Sequence, residues 1–136
     1  MIIIQGYTPW FTDTGSHGRV VRGIFLHDTE TPRVVVPTDA GSFHYEIDRD
    51  GTVLQYIADE DIAWHVRVCD EHWPKWLPHS RPYPPSSANN HSVGIELVSN
   101  AANRAAGVPY TDQQYAQVQE LFAHLFTRWG ELPIDT

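Results

Sequence analysis

Between residues 42 and 66 the chain reads SFHYEIDRDGTVLQYIADEDIAWHV, and its side chains alternate in character at every second position. Phe43, Tyr45 and Ile47 alternate with His44, Glu46 and Asp48; beyond Arg49-Asp50-Gly51 the alternation resumes with Val53, Gln55 and Ile57. Period two on both sides of an Asp-Gly pair predicts a hairpin. Residues 92–98, SVGIELV, predict a further strand with Val93, Ile95 and Leu97 on one face and Gly94 and Glu96 on the other. Residues 19–27 predict a strand whose second half, Ile24-Phe25-Leu26, is apolar on both faces and therefore central in a sheet.

The period changes once. Over residues 111–129, Tyr115, Val118, Phe122, Leu125 and Trp129 recur at helical spacing, Thr111 and Gln114 have the form of a capping box, and Gly130 and Pro133 stop the helix. Residues 2–4 suit a short edge strand, residues 7–18 a loop, and residues 59–63 an acidic turn. Pro32 and Pro37 bracket Val34-Val35-Val36, so residues 30–41 read as an irregular crossing over the sheet. Residues 67–90 carry Pro74, Pro78, Pro82, Pro84 and Pro85 together with Trp73, Trp76 and Tyr83. That is too much proline for regular structure, and it leaves either a wall of a binding cleft or a surface segment held by its own aromatics. The expected architecture is α/β: a mixed central sheet flanked by helices in a single domain of residues 1–136.

Composition changes this picture in a few places. A net charge of −8 with one lysine, Lys75, excludes nonspecific binding to nucleic acid or to an anionic membrane, since nothing here replaces a counterion atmosphere. The lone Cys69 excludes an intrachain disulfide framework and a Cys-rich zinc ribbon. The start, MIIIQG, has no basic flank and no apolar run long enough for a signal peptide or a membrane helix, which fits cytoplasmic synthesis.

Candidate chemistry sits at strand ends. His27 closes the first central strand, His44 enters the hairpin and His65 follows it, where loops gather around a sheet edge. Each is a site imidazole or a hydrogen-bonded structural one. Glu96 lies mid-strand among apolar residues, where an unpaired charge is expensive, so it faces a cleft or is structurally paired. Asp28 either orients an imidazole or caps a turn. His124 falls off the apolar stripe and reads as a solvated helix residue.

Four segments in register, GIFLHDTE, SFHYEIDRDGTVLQYIADEDIAWHV, NNHSVGIELV and YTDQQYAQVQELFAHLFTRWGELP, make residues 20–133 resemble the zinc-dependent N-acetylmuramoyl-L-alanine amidases. That family includes phage lysozyme-type endolysins, anhydromuropeptide amidases and peptidoglycan recognition proteins. The resemblance implies that His27 is a zinc ligand, that Glu96 assists the attacking water, and that His65 of AWHV lies near the substrate. His44, Asn89 and Trp64 stand with His65 as candidate substrate contacts. Phe43 occupies a position where lysozyme-type members carry a tyrosine, and Tyr45, expected on the same face as Phe43, does not replace it. The family pattern continues into a second zinc histidine, a third ligand and a lysine, and the chain reaches Thr136 about where that segment begins. His17, His72, His79 and His91 are other imidazoles of unknown reach.

Three readings follow. One is an amidase acting on peptidoglycan or muropeptides, with one zinc whose ligand set is completed by a C-terminal continuation or a second chain. It would be an endolysin acting on the wall after release, or an enzyme of cytoplasmic muropeptides. The second is a peptidoglycan-binding or structural module that has lost the zinc site. The third is a domain with an unrelated ligand.

Overall fold

The structure, a computed structural model, describes residues 1–15, 18–39, 41–66 and 87–136. The strands are β1 (Ile3–Gln5), β2 (Phe11–Thr12), β3 (Gly23–Asp28), β4 (Tyr45–Ile47), β5 (Val53–Gln55), β6 (Ile62–Ala63), β7 (Ser92–Leu97) and β8 (Ile134–Asp135). The helices are α1 (Ser87–Asn90), α2 (Ala101–Ala105) and α3 (Asp112–Trp129). Six strands form a mixed sheet in the order β1-β5-β4-β7-β3-β8, and β2 and β6 pair separately. Only β4 and β5 run antiparallel within the large sheet; β1 with β5, β4 with β7, and β3 with both β7 and β8 are parallel.

The hairpin forms where the alternation predicts it. Gly51 adopts φ 86°, which suits a residue without Cβ, and Gly51 and Asp48 close the turn through Gly51 N–H to Asp48 O and Asp48 N–H to Thr52 O, both 2.9 Å. Tyr45, Ile47, Ile24, Val93, Ile95 and Leu97 then point to one side and form the core with Val118, Leu121 and Leu125 of α3. Helix α3 is capped as expected: Thr111 Oγ1 accepts from Gln114 N–H and Gln114 Oε1 from Thr111 N–H. Of its expected stripe, Val118 and Leu125 are buried and Phe122 and Trp129 pack part-buried against the core, and Tyr115 is the exception. Gln114, Val118, Leu121 and Leu125 face the sheet, whereas Tyr115 is 51% exposed. Gln114 replaces it because its amide donates to the Ile47 and Val98 carbonyls, both at 3.0 Å, fastening the helix N-terminus to two central strands.

Other expectations are corrected. The strand expected over residues 19–27 begins at Gly23. Arg19 ahead of it is drawn inward, donating to the carbonyls of Asp59, Asn89 and Ser92. The expected loop and acidic turn each contribute a two-residue strand, β2 and β6. The last residues of the proline-rich segment form α1; the rest of that expectation, with Lys75, Cys69, His72 and His79, lies outside the described residues, as does His17. The segment after Pro133, expected only to end the helix, enters the sheet beside β3 as β8. Among the described residues no helix is long and apolar enough to cross a membrane.

Candidate active site on the open face of the sheet

Strand alternation that buries one set of side chains against α3 must present the other set on the opposite face. Register then aligns them. His27 of β3 is the partner of Glu96 of β7, and Glu96 in turn is the partner of Glu46 of β4, so an imidazole and two carboxyls occupy one row across three adjacent strands. In the next row Phe25 is the partner of Gly94, and its ring stacks near His27 and tilts against His65.

Gly94 is required there by space. A Cβ at this position would stand 2.4 Å from His65 Cγ, so the imidazole of His65 lies on the bare backbone of β7. Its hydrogen bonds have a defined direction. Ser92 Oγ donates its single proton to the Ala88 carbonyl at 2.7 Å, and therefore accepts from His65 Nε2–H at 3.0 Å. Burial lowers the proton affinity of both His65 and His27, so each is neutral at neutral pH. Neutral His65 then has a bare Nδ1, which accepts from His27 Nε2–H at 3.2 Å. The lone pair of His27 is thereby assigned to Nδ1, which has no hydrogen-bond partner among the described residues.

Glu96 is the anomaly of the site. Its Oε2 is buried without a hydrogen-bond partner among the described residues. Burial pushes its pKa up to about 7, with Glu46 and Asp28 adding to the shift. Glu46, fully buried, is likewise pushed up to about 7 by burial, against hydrogen bonds from Val35 N–H at 2.7 Å and Tyr56 O–H at 3.3 Å. Glu96 and His65 share a cleft of about 290 Å³ with Val35, Val36, Thr38, Gly41, Ser42 and Phe43. A larger groove of about 470 Å³ at Met1, Ile2, Ile4 and Gln117 is lined by one carboxylate, Asp50, and no imidazole, and so has no comparable chemistry.

Other expected site residues take different places. His44 is completely buried; its Nδ1 accepts from Gly94 N–H at 3.0 Å and its Nε2 lies 3.0 Å from the Asp61 carbonyl, so it braces the floor and cannot meet substrate. Burial, with the Arg19 guanidinium beside it, holds His44 neutral. Asn89 is also spent internally: its oxygen accepts from the N–H groups of His65 and Val66, and its amide donates to the Val66 carbonyl. It sets the path of the chain under His65 and does not face the cleft. Trp64 remains 38% exposed, with its indole N–H on Thr12 Oγ1 at 3.1 Å and its backbone N–H on Ser42 Oγ at 2.9 Å, beside the cleft.

Asp28 caps a turn at Glu30 N–H and pairs with Arg104, and so orients no imidazole. Phe43 lines the cleft while Tyr45 belongs to the core, which corrects the expectation that they share a face. His91 Nδ1 lies 3.2 Å from the Val20 carbonyl, apart from the site row, and His124 is half-exposed on α3. Glu46 and Arg19 were missed. A carboxylate inside an apolar strand is the signal that singled out Glu96, and it applies equally to Glu46.

A mixed sheet backed by helices is an architecture this chain shares with solved amidase structures. The family model for N-acetylmuramoyl-L-alanine amidase matches residues 17–136, and the chain belongs to that family. Solved structures with the same fold include a selenomethionine derivative of AmpD (TM-score 0.67, 21% identity, covering 96% of this chain and 79% of that one). The amidase LysC from Clostridium intestinale URNW is another (0.62, 16%, 98% and 82%). AmpDH3 from Pseudomonas aeruginosa in complex with anhydromuramic pentapeptide is a third (0.57, 21%, 93% and 55%). No curated protein sequence matches the chain.

The resemblance implies zinc, and a catalytic zinc takes three protein ligands and an open position. His27 Nδ1 is one suitable donor. No group of three His, Cys, Asp or Glu side chains able to hold a metal occurs among the described residues. These residues alone therefore do not complete a zinc site.

Proposed function

We propose that the protein hydrolyses the amide between the lactyl group of N-acetylmuramic acid and L-alanine, in peptidoglycan or in released muropeptides, with zinc as cofactor. The observation that carries this is Glu96: a buried carboxyl oxygen without a partner, in register with His27, inside a family match of residues 17–136. Zinc, when bound, supplies a water of lowered pKa and a Lewis acid for the carbonyl. His27 offers Nδ1 as one ligand, and the remaining ligands come from outside the described residues. Glu96, titrating near neutrality, takes a proton from the attacking water and returns it to the leaving amine. His65, whose bare Nδ1 is turned to His27, orients that imidazole; in this tautomer it has no proton on Nδ1 to offer an oxyanion.

Val35, Val36 and Phe43 supply apolar wall for the small aliphatic groups beside the scissile bond, and the part-exposed Trp64, bonded through its backbone N–H to Ser42 of the cleft, supplies a further surface for the ligand. Such an enzyme is made in the cytoplasm and acts as an endolysin after release, or on cytoplasmic muropeptides. The test measures zinc per chain and the release of peptides with a free L-alanine terminus from muropeptides. His27→Ala loses both on this reading; release at the parent rate by His27→Ala overturns it. The second reading, a peptidoglycan-binding module without catalysis, is favoured by the lack of a metal-holding group of three side chains among the described residues, and predicts no zinc with muropeptide affinity unchanged in His27→Ala.

A further inference from the structure

Glu46 has no place in the proton transfers above, yet it is fully buried in the row of the site. A buried carboxyl costs free energy that an aliphatic side chain does not, so what its oxygens hold is informative. Oε1 accepts from Val35 N–H at 2.7 Å, and Oε2 from Tyr56 O–H at 3.3 Å. Val35 belongs to a cleft wall, and Tyr56 backs another. Val35 lies in the irregular strap between Thr29 and Thr38, and Val35, Val36 and Thr38 form one wall of the cleft. Tyr56 packs edge-on against Phe43, ring centroids 5.5 Å apart, and Phe43 forms another.

The strap is otherwise tied near its ends. Thr29 N–H donates to the Leu97 carbonyl at 3.0 Å on one side, and Thr38 and Gly41 exchange two backbone bonds of 2.9 and 3.2 Å on the other. Between these ties, Val35 N–H donates to Glu46 and fastens the middle of the strap to the sheet.

We propose that Glu46 is a specificity-determining positioning residue, which by holding Val35 N–H and Tyr56 O–H fixes two walls of the cleft beside Glu96 and so sets the width offered to small aliphatic groups flanking the scissile amide. The substrate named here rests on the amidase reading; the anchoring does not. Two variants separate the functions of the side chain. Glu46→Leu fills the floor without an acceptor, and Glu46→Gln keeps an acceptor oxygen for Val35 and an amide donor for Tyr56.

Amide hydrogen exchange at Val35 is followed in parent and variants, with thermal unfolding confirming that each is folded. Loss of one hydrogen bond speeds exchange at Val35 about tenfold in Glu46→Leu, and Glu46→Gln restores the slow rate. With muropeptide substrates, Glu46→Leu raises KM while kcat holds, and discrimination against a bulkier residue in place of L-alanine falls; Glu46→Gln recovers both. Unchanged Val35 protection in Glu46→Leu overturns the anchor. A fall in kcat at constant KM overturns the specificity role, since it places the action of Glu46 on Glu96 itself. If the parent hydrolyses no muropeptide, the amidase reading fails while the exchange experiment still decides the anchor.

Discussion

The two faces of the central sheet are made by the same strands and differ in every physical respect. On the α3 side, Ile24, Tyr45, Ile47, Val93, Ile95 and Leu97 pack with helix side chains, and the polar atoms that reach this side, Tyr45 Oη and Gln114 Nε2, are paired at 2.6 and 3.0 Å. On the open side, one residue along each strand, stand His27, Glu96 and Glu46, with a buried oxygen left unpaired. The first face lowers the free energy of the fold. The second spends some of that stability on groups held in protonation states water would not favour, which is how a site is distinguished from a core.

The comparison can be broken by exchanging consequences between the faces. The largest effect belongs to Glu96→Gln. On the proposed reading hydrolysis falls by about 10²–10⁴, the usual range for a positioned acid–base group, while the unfolding temperature at neutral pH is unchanged or higher because a buried ionisable carboxyl has been replaced by a neutral amide. Steady-state kinetics and calorimetry on one preparation check both halves. Leu121→Ala on the other face should do the reverse. It costs about 2–5 kcal/mol in denaturant unfolding and leaves the turnover of the folded fraction as it was.

Gly94→Ala joins the two. The added methyl drives into His65 and costs about 1–3 kcal/mol as an overpacked site, and the displaced ring loses its bond to Ser92; the imidazole resonances of His65 and His27 should shift together in NMR.

The smallest effect is a pH dependence. Glu46 and Glu96 are raised from an ordinary 4.5 to about 7 in the folded chain, so folding retains protons that the unfolded chain would release. Their contribution to stability is fully present below about 4.5 and is lost as pH rises through about 7. In Glu46→Gln that part of the slope disappears, and the variant gains on the parent from pH 4.5 upward, levelling above 7. An identical slope in parent and variant would show that Glu46 titrates normally.

What was legible in the sequence follows from length and period. β4, β5, β7 and α3 have enough residues in phase for alternation or helical spacing to identify them, and Asp50-Gly51 marks the turn. β2, β6 and β8 have two residues each, too few for any period, and exist because a neighbouring strand offers them hydrogen bonds. The stripe of α3 was misread by one position because Gln114 buries a polar side chain for its amide bonds, which a hydrophobicity pattern assigns to solvent. For the site, the segment pattern named His27, His65 and Glu96 as candidates, and their common face depends on β3 and β7 pairing in parallel at one particular register. His44 and Asn89 have site chemistry by residue type, but their ring nitrogens and amide are occupied by backbone groups that only the tertiary structure brings near. Glu46 was readable by the argument used for Glu96, and was passed over as one polar position of the hairpin alternation.

The run of donors from His27 through His65 and Ser92 ends on the carbonyl of Ala88, an atom with no proton to give back. The orientation is therefore one-way: neither ring can move its proton to the opposite nitrogen without breaking the next link. Acid has one opening into this run of imidazoles, Nδ1 of His27, and burial delays its use to a pH below the ordinary imidazole range. Acidification therefore reaches the carboxyls of Glu96 and Glu46, raised to about 7, before it reaches this nitrogen.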